Sequence, residues 1–135
     1  MKRLSKLLGF ILLPLAIVLS ILVFPIGWAY SLFRLKTKLS RLNYYAFKIA
    51  LSIDQLGNVV MSTLFNDFFI KDSGYKFGDE DETISRVLGI NKYEKTLLPL
   101  GKALSWILNL IDKNHVEKAS EDYINTKTNE EKIKS

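Results

Sequence analysis

The residues that could do chemistry in this chain are few. His115 is its only histidine, and the carboxylates that we group with it are Asp54, Asp81 and Glu82. These groups suggest a mixed carboxylate–imidazole metal site or a hydrolytic centre built on Asp54, Glu82 and His115. No two of them have a local ligand spacing such as H-E-x-x-H, so this module is the alternative to the leading hypothesis. We expect no cofactor.

Other common chemistries find no support in the sequence. The chain has no cysteine, which excludes disulfides, thiolate catalysis and Cys-ligated zinc. No serine lies in a G-x-S-x-G motif, and no glycine-rich phosphate loop is present. The acidic run at residues 79–82 fails the register of a calcium loop, because Ile84 and Ile90 occupy its sixth and twelfth positions. We expect instead that Asp81 caps a short helix and that Gly89 ends it.

The strongest structural element precedes these residues. Residues 7–33 contain no Asp, Glu, Lys, Arg or His and are long enough to cross a bilayer as one helix. A transmembrane anchor is the favoured interpretation. A cleaved signal peptide is the second, with a small-x-small site at residues 27–29. A re-entrant hairpin is the third, because Pro14 and Pro25 each remove a backbone donor.

Positive charge surrounds this apolar segment, and no acidic residue occurs before Asp54. The membrane-proximal basic residues on its C-terminal side are Arg34, Lys36, Lys38, Arg41 and Lys48. They outnumber Lys2, Arg3 and Lys6 on the other side, so the positive-inside rule predicts a cytoplasmic C-terminal part. The topology expected is a single span. This distribution suits a lipid bilayer better than nucleic acid, which needs a basic patch on the folded part.

Two amphipathic helices are predicted after the anchor. Residues 44–70 carry a polar stripe that we expect to contact the loop at residues 81–86, with a charge pair between Asp54 and Arg86. The candidate binding residues are Asp54, Gln55, Asn58, Asp81, Glu82, Thr83, Ser85 and Arg86. The second helix, residues 97–111, has Thr96 as its cap and Pro99 in its first turn. Its predicted buried side is Leu100, Ala103, Leu104, Trp106, Ile107, Leu110 and Ile111.

The fold class predicted is all-α: an N-terminal transmembrane helix, a small bundle of amphipathic helices and a flexible C-terminal tail. We expect a membrane anchor at residues 1–36, a helical domain at 37–120 and the tail at 121–135. In the short helix after Asp81, Ile84, Val87 and Leu88 are expected to face inward, whereas Thr83, Ser85 and Arg86 are expected to face outward.

Three short motifs resemble those of a family of small uncharacterised proteins of tailed bacteriophages and prophages. They are Ile53-Asp54-Gln55-Leu56-Gly57-Asn58, then Asp81-Glu82-Thr83-Ile84-Ser85-x-Val87, then Trp106 followed by Asn114-His115. Val116 stands where the family pattern has cysteine, so a His–Cys metal site does not carry over. The resemblance implies a phage or prophage origin in a Gram-negative host, and with it the bacterial inner membrane as the location of the single span. It implies no agreed activity.

The leading hypothesis is a non-enzymatic membrane protein that acts through its amphipathic helices on a protein partner or on a second copy. Lysis, superinfection exclusion and modulation of a host complex are the roles left open. The alternative is a membrane-tethered metal-binding or hydrolytic module. Nucleic-acid binding through the basic residues is a third, weaker hypothesis.

Overall fold

The computed structural model describes residues 2–35 and 38–134. Within these ranges the chain is helical and contains no strand, which confirms the all-α prediction; a single antiparallel bridge pairs Ile70 with Leu97. The helices of the described residues are α1 (Lys2–Leu35), α2 (Leu39–Val60), α3 (Ser62–Phe68), α4 (Ile84–Tyr93), α5 (Pro99–Ile111), α6 (His115–Ala119) and α7 (Glu121–Lys134). The chain divides after Phe47 into two compact units, whereas the anchor was expected to end at residue 36.

The first unit is dominated by α1. Its segment Leu8–Arg34 has a mean hydropathy of 2.7, and none of its most apolar part is buried in the protein. The helix is long and apolar enough to span a membrane, a property that it shares with signal sequences. It runs through Pro14 and Pro25 without a break, so the hairpin interpretation is wrong. The hydroxyl of Ser31 donates to the Gly27 carbonyl oxygen at 2.8 Å, which satisfies it within the helix.

The second unit is built around α4. Val87, Leu88 and Ile90 are completely buried, and Val116 of α6 is buried with them. The two helices pack closely because Gly89 has no side chain: a Cβ at this position would lie 2.0 Å from the Val116 carbonyl oxygen. The glycine is needed for this close approach within α4, which continues to Tyr93. The prediction that Gly89 ends this helix is therefore wrong.

Helix starts also differ from the prediction. Thr83, and not Asp81, caps α4: its Oγ1 accepts the Arg86 N–H at 3.1 Å. Leu98, and not Thr96, precedes α5, where Pro99 occupies the first turn as predicted. The Thr96 hydroxyl instead donates to Asn91 Oδ1 at 2.6 Å.

The helix predicted at residues 44–70 is divided in two. A turn at Met61 separates α2 from α3, although hydrogen bonds continue across it from Met61 N–H to the Gly57 oxygen and from Phe65 N–H to the Met61 oxygen. The core beneath these helices is small. Its buried apolar members are Phe65, Ile70, Phe77, Val87, Leu88, Leu97 and Val116.

Helix α5 presents the opposite face to the one expected. Ser105 is buried at 1% exposure, whereas Trp106 and Ile111 are 65% and 81% exposed. The physical reason is steric, because Gly101 packs where a Cβ would lie 2.3 Å from the Phe69 carbonyl oxygen. Only the face with small residues can approach the core this closely. Leu104 of the predicted buried side does pack against the core. The prediction is wrong for its other members, which are exposed.

The chain end is also more ordered than expected. Residues 121–134 form α7, where a flexible tail was predicted. The rings of Tyr123 and Tyr75 lie 5.7 Å apart, and the Tyr123 hydroxyl donates to Glu94 Oε1 at 2.5 Å. These contacts fix the start of α7 on the second unit.

Replacing Gly89 by alanine tests the close packing of α4 on α6. We expect Gly89→Ala to lower the free energy of unfolding by about 1–3 kcal/mol, because the added methyl group overlaps the Val116 carbonyl. Thermal unfolding in detergent, followed by near-ultraviolet circular dichroism, measures the change. The matched control is Gly27→Ala in α1, where an added Cβ meets nothing within 4 Å. Equal stability of the two variants contradicts the packing.

Candidate functional site

The predicted polar stripe of α2 contacts the segment that leads into α4. Asn58 is completely buried, and its Nδ2 donates to the carbonyl oxygens of Asp79 at 2.8 Å and Glu82 at 3.0 Å. Its Oδ1 accepts the Gly78 N–H at 3.3 Å. Gln55 Nε2 donates to the Asp81 carbonyl oxygen at 3.1 Å. The predicted contact between this stripe and residues 81–86 is confirmed.

Asp54 lies at the start of α4 but does not pair with Arg86. Its Oδ1 accepts the Ile84 N–H at 3.1 Å, and its Oδ2 accepts the Ser85 hydroxyl at 3.0 Å. A carboxylate in this position satisfies free N–H groups and interacts favourably with the positive end of the helix dipole. Arg86 instead pairs with Glu82 and Asp122. The predicted pair between Asp54 and Arg86 is therefore wrong.

Ser85 joins Asp54 to His115. His115 Nε2 lies 3.2 Å from Ser85 Oγ, and Nδ1 lies 3.1 Å from Asp112 Oδ2. Because Ser85 gives its single hydrogen to Asp54, its oxygen can only accept a hydrogen bond from His115 Nε2, and the Asp112 carboxylate can only accept one from Nδ1. Both contacts of the ring are hydrogen bonds only when both ring nitrogens carry hydrogens. A hydrogen bond from Lys118 lowers the pKa of Asp112. We call Asp54, Ser85, His115 and Asp112 the serine–histidine network.

The serine–histidine network resembles a nucleophilic triad in its residue types but not in its exposure. Ser85 is 4% exposed, against the expectation that it faces outward. Its hydroxyl already donates to Asp54, so His115 Nε2 does not accept that hydrogen. The arrangement joins α2 to α4 and α6, and it offers a substrate little access to the serine.

Glu82 belongs to a separate cluster. Its Oε1 accepts the Tyr75 hydroxyl at 2.9 Å and Arg86 Nε at 3.2 Å. Burial and the hydrogen bond to Glu82 raise the pKa of Tyr75. Arg86 also bonds Asp122 of α7, and this hydrogen bond lowers the pKa of Asp122. Burial and the bond to Glu94 raise the pKa of Tyr123, the next residue, to about 12.

A metal site is not assembled from the predicted ligands. Among residues 2–35 and 38–134, no group of three or more histidine, aspartate and glutamate side chains could hold a metal ion. Asp54 and His115 share a contact through Ser85, but Glu82 has other partners. In the acidic run, Asp79 Oδ1 accepts the Asp81 N–H at 2.9 Å, which makes a local turn.

The basic residues near the apolar helix are on the surface. Arg34 in the last turn of α1 is exposed, as are Lys38, Arg41 and Lys48. Lys36 lies outside the described residues. Exposed side chains are accessible to lipid headgroups, but exposure does not test the predicted contact, which stays a prediction.

Two further asparagines complete the polar interior: Asn66, which belongs to the polar stripe predicted for residues 44–70, and Asn91, which the sequence analysis did not single out. Asn91 is completely buried, and its amide bonds the Tyr75 N–H and carbonyl oxygen at 2.9 and 2.8 Å. Asn66 bonds Phe77 in the same way, at 2.9 and 3.0 Å. Asn91 occurs inside an otherwise apolar helical stretch, which was the signal that could have identified it. With Asn58 these two asparagines hold the whole connection between α3 and α4.

Comparison with known proteins adds no relative: no family model, no curated protein and no solved structure matches this chain.

Removing the Asn58 amide tests the polar interior. We expect Asn58→Ala to lower the free energy of unfolding by about 2 kcal/mol or more, because two buried carbonyl groups lose their donor. Denaturant unfolding of the full chain in detergent measures the loss. Asn125→Ala, an exposed position on α7, is the matched control and should retain full stability. A stable Asn58→Ala variant contradicts the role given to this amide.

Acidification tests the ion pair at α6. Burial opposes ionisation of Glu117, but hydrogen bonds from Lys92 and Asn109 leave the pKa of Glu117 lowered from 4.5. A lowered pKa means that the unfolded chain binds the proton more readily. The contribution to stability is therefore complete above about pH 4.5 and is lost as the pH falls further.

We expect Glu117→Gln to lose this part of the pH dependence, so that its stability falls less than that of the wild-type chain on acidification. Unfolding measured at a series of pH values checks this, with Glu131→Gln at an exposed position of α7 as the control. The same acid dependence in Glu117→Gln and the wild-type chain contradicts the account.

Proposed function

We propose that this chain is a small, non-enzymatic membrane protein of phage or prophage type. In this proposal α1 crosses the bacterial inner membrane once, and the part that follows lies on the cytoplasmic side. The exposed apolar faces of its helices contact lipid and a partner protein or a second copy. Lysis, superinfection exclusion and modulation of a host membrane complex are the roles that such contacts could serve.

The observation that carries the proposal is the outward direction of the apolar helix faces. On α5, Leu110 and Ile111 are 70% and 81% exposed, while the buried side contains Gly101 and Ser105. The apolar side of α2 and α3 is exposed as well. Its members include Ile53, Leu56, Val60, Leu64 and Phe68. We call these residues, together with Leu100, Trp106, Ile107, Leu110 and Ile111 of α5, the outward apolar residues.

Energetics favour an apolar environment for these residues. Full burial of a large aliphatic or aromatic side chain is worth roughly 1.5–3 kcal/mol, and water-soluble monomers rarely expose large apolar patches. The polar groups of the second unit meanwhile bond one another in its interior, as the three asparagines do. This arrangement is compatible with an apolar face in lipid, because lipid cannot satisfy polar groups.

A hydrolytic module is the second candidate, favoured by the contact of His115 Nε2 with Ser85 Oγ. It predicts that a serine-reactive fluorophosphonate probe labels Ser85 and that Ser85→Ala removes the label. Metal analysis of the purified protein tests the metal-binding form of this alternative. An unlabelled, metal-free protein contradicts both forms.

Topology is tested in cells with the full chain and a C-terminal tag. We expect the tag to sediment with inner membranes, to resist carbonate extraction and to be protected from protease in intact spheroplasts, because the more basic flank stays in the cytoplasm. The tagged chain should retain its full length on a gel. A shortened chain with an accessible tag contradicts the proposal and favours the signal-peptide interpretation.

Two isoleucines provide a matched test of the outward face. We expect Ile111→Glu on α5 to shift the fluorescence of Trp106 towards that of water-exposed tryptophan, because a carboxylate opposes insertion into lipid. The measurement uses the full chain in lipid nanodiscs, with Trp28→Phe so that Trp106 is the only tryptophan. Ile133→Glu on α7, also a highly exposed position, should leave the emission unchanged. A water-like emission before any α5 substitution contradicts the proposal.

A further inference from the structure

A cleft of about 480 Å³ opens beside α5, on the second unit. One wall is the end of α4 and the turn after it, which carry Lys92 and Lys95. The other wall is one side of α5, with Lys102, Ser105 and Trp106. The cleft is separate from the serine–histidine network, which none of these residues joins.

The charge of the cleft is positive. Lys92 pairs with Glu117, so these two charges offset each other. Glu94, in the same turn, accepts the Tyr123 hydroxyl of α7. Lys95 and Lys102 add two further positive charges to the walls, and both are exposed. An anion of one or two charges complements this arrangement.

Ser105 gives the cleft a buried polar group. Its side chain is 1% exposed, and its hydroxyl has no hydrogen-bond partner among the described residues. A helical serine can usually bond the carbonyl group four residues earlier, so an unpartnered hydroxyl is unusual. A ligand oxygen that enters the cleft would satisfy it once the atoms that cover the hydroxyl move aside.

The rim of the cleft favours a lipid as the source of the anion. Trp106 lies at the edge of the cleft and is 65% exposed, and the apolar face of α5 continues from it through Leu110. Tryptophan beside lysine is the combination typical of the headgroup level of a bilayer. A phospholipid here would place its phosphate among the lysines and its acyl chains along the apolar face.

We infer that this cleft binds the phosphate of an anionic phospholipid, with Lys95 and Lys102 as the cations and Ser105 as a hydrogen-bond donor. The inference rests on the proposed membrane function and deepens it, because it names the lipid class that the second unit recognises. It assigns the site to phospholipid and not to a soluble phosphate compound.

Native mass spectrometry of the full chain, released from micelles that contain phosphatidylglycerol and phosphatidylcholine, tests the inference. The wild-type chain should retain one phosphatidylglycerol in preference to phosphatidylcholine. Lys95→Gln with Lys102→Gln should reduce this preference roughly tenfold, through the loss of two cations near the phosphate. Lys76→Gln with Lys113→Gln removes the same charge from two exposed positions elsewhere and should retain the preference.

Ser105→Ala separates a specific site from general attraction to positive charge. It changes no charge and should weaken retention of phosphatidylglycerol several-fold while thermal stability is maintained. Unchanged retention in Ser105→Ala or in the Lys95 and Lys102 variant overturns the inference. An equal loss in the Lys76 and Lys113 control does the same.

Two further results distinguish this inference from the proposed function. Displacement of phosphatidylglycerol by millimolar inorganic phosphate assigns the cleft to soluble phosphate and overturns the inference. A chain that stays carbonate-resistant but retains both lipids equally overturns the inference alone. A chain that carbonate extracts from membranes overturns the proposed function itself.

Discussion

The buried amide of Asn58 is the constraint on which the second unit depends. It satisfies two carbonyl groups and one N–H group of the connection before α4, and no water reaches it. An amide with these partners must face the interior, because leaving such groups unpaired is costly. Gln55 and Asp54 lie on the same side of α2 and bond the same segment of chain. The apolar side of α2 must then face outward.

A steric constraint has the same effect on α5. Gly101 approaches the Phe69 carbonyl more closely than any side chain would allow, and Ser105 is buried beside it. The positions of α5 that lie closest to the core therefore belong to small residues. Leu104 and Leu108 pack beside them, and the other large apolar residues of the helix are left on the surface. In water this would be an unfavourable surface, whereas in a bilayer it is a normal one. The exposed apolar faces of α2, α3 and α5, together with α1, are the basis of the proposed membrane function.

The sequence alone was sufficient for features that depend on local composition. The long apolar segment of α1 followed from the absence of charged residues between positions 7 and 33. The contact of Gln55 and Asn58 with the connection before α4 followed from their spacing. The outward direction of α5 did not follow, because periodicity identifies an apolar face without stating whether water or lipid surrounds it. The apolar side of α5 was assigned to the interior, and for most of its residues that assignment was wrong.

Features that depend on distant partners were also beyond the sequence. Helix α7 is polar, and its start is fixed by contacts of Asp122 with Arg86 and of Tyr123 with Glu94. Arg86 was expected to pair with Asp54, since no pattern in the sequence specifies which acidic residue it meets. The link between Ser85 and His115 joins residues far apart in the chain. Such pairings emerge only when α4, α6 and α7 are packed together.

The most direct test of this account is the environment of the outward apolar residues in a lipid bilayer. Because the chain has no cysteine, single-cysteine variants at Ile111 and Ile133 can each carry one spin label in the full-length protein. Power-saturation electron paramagnetic resonance in nanodiscs then compares collision with oxygen and with a water-soluble nickel complex. The account predicts oxygen contact without nickel contact at position 111, and the reverse at position 133. Equal access of the nickel complex to both positions would contradict it.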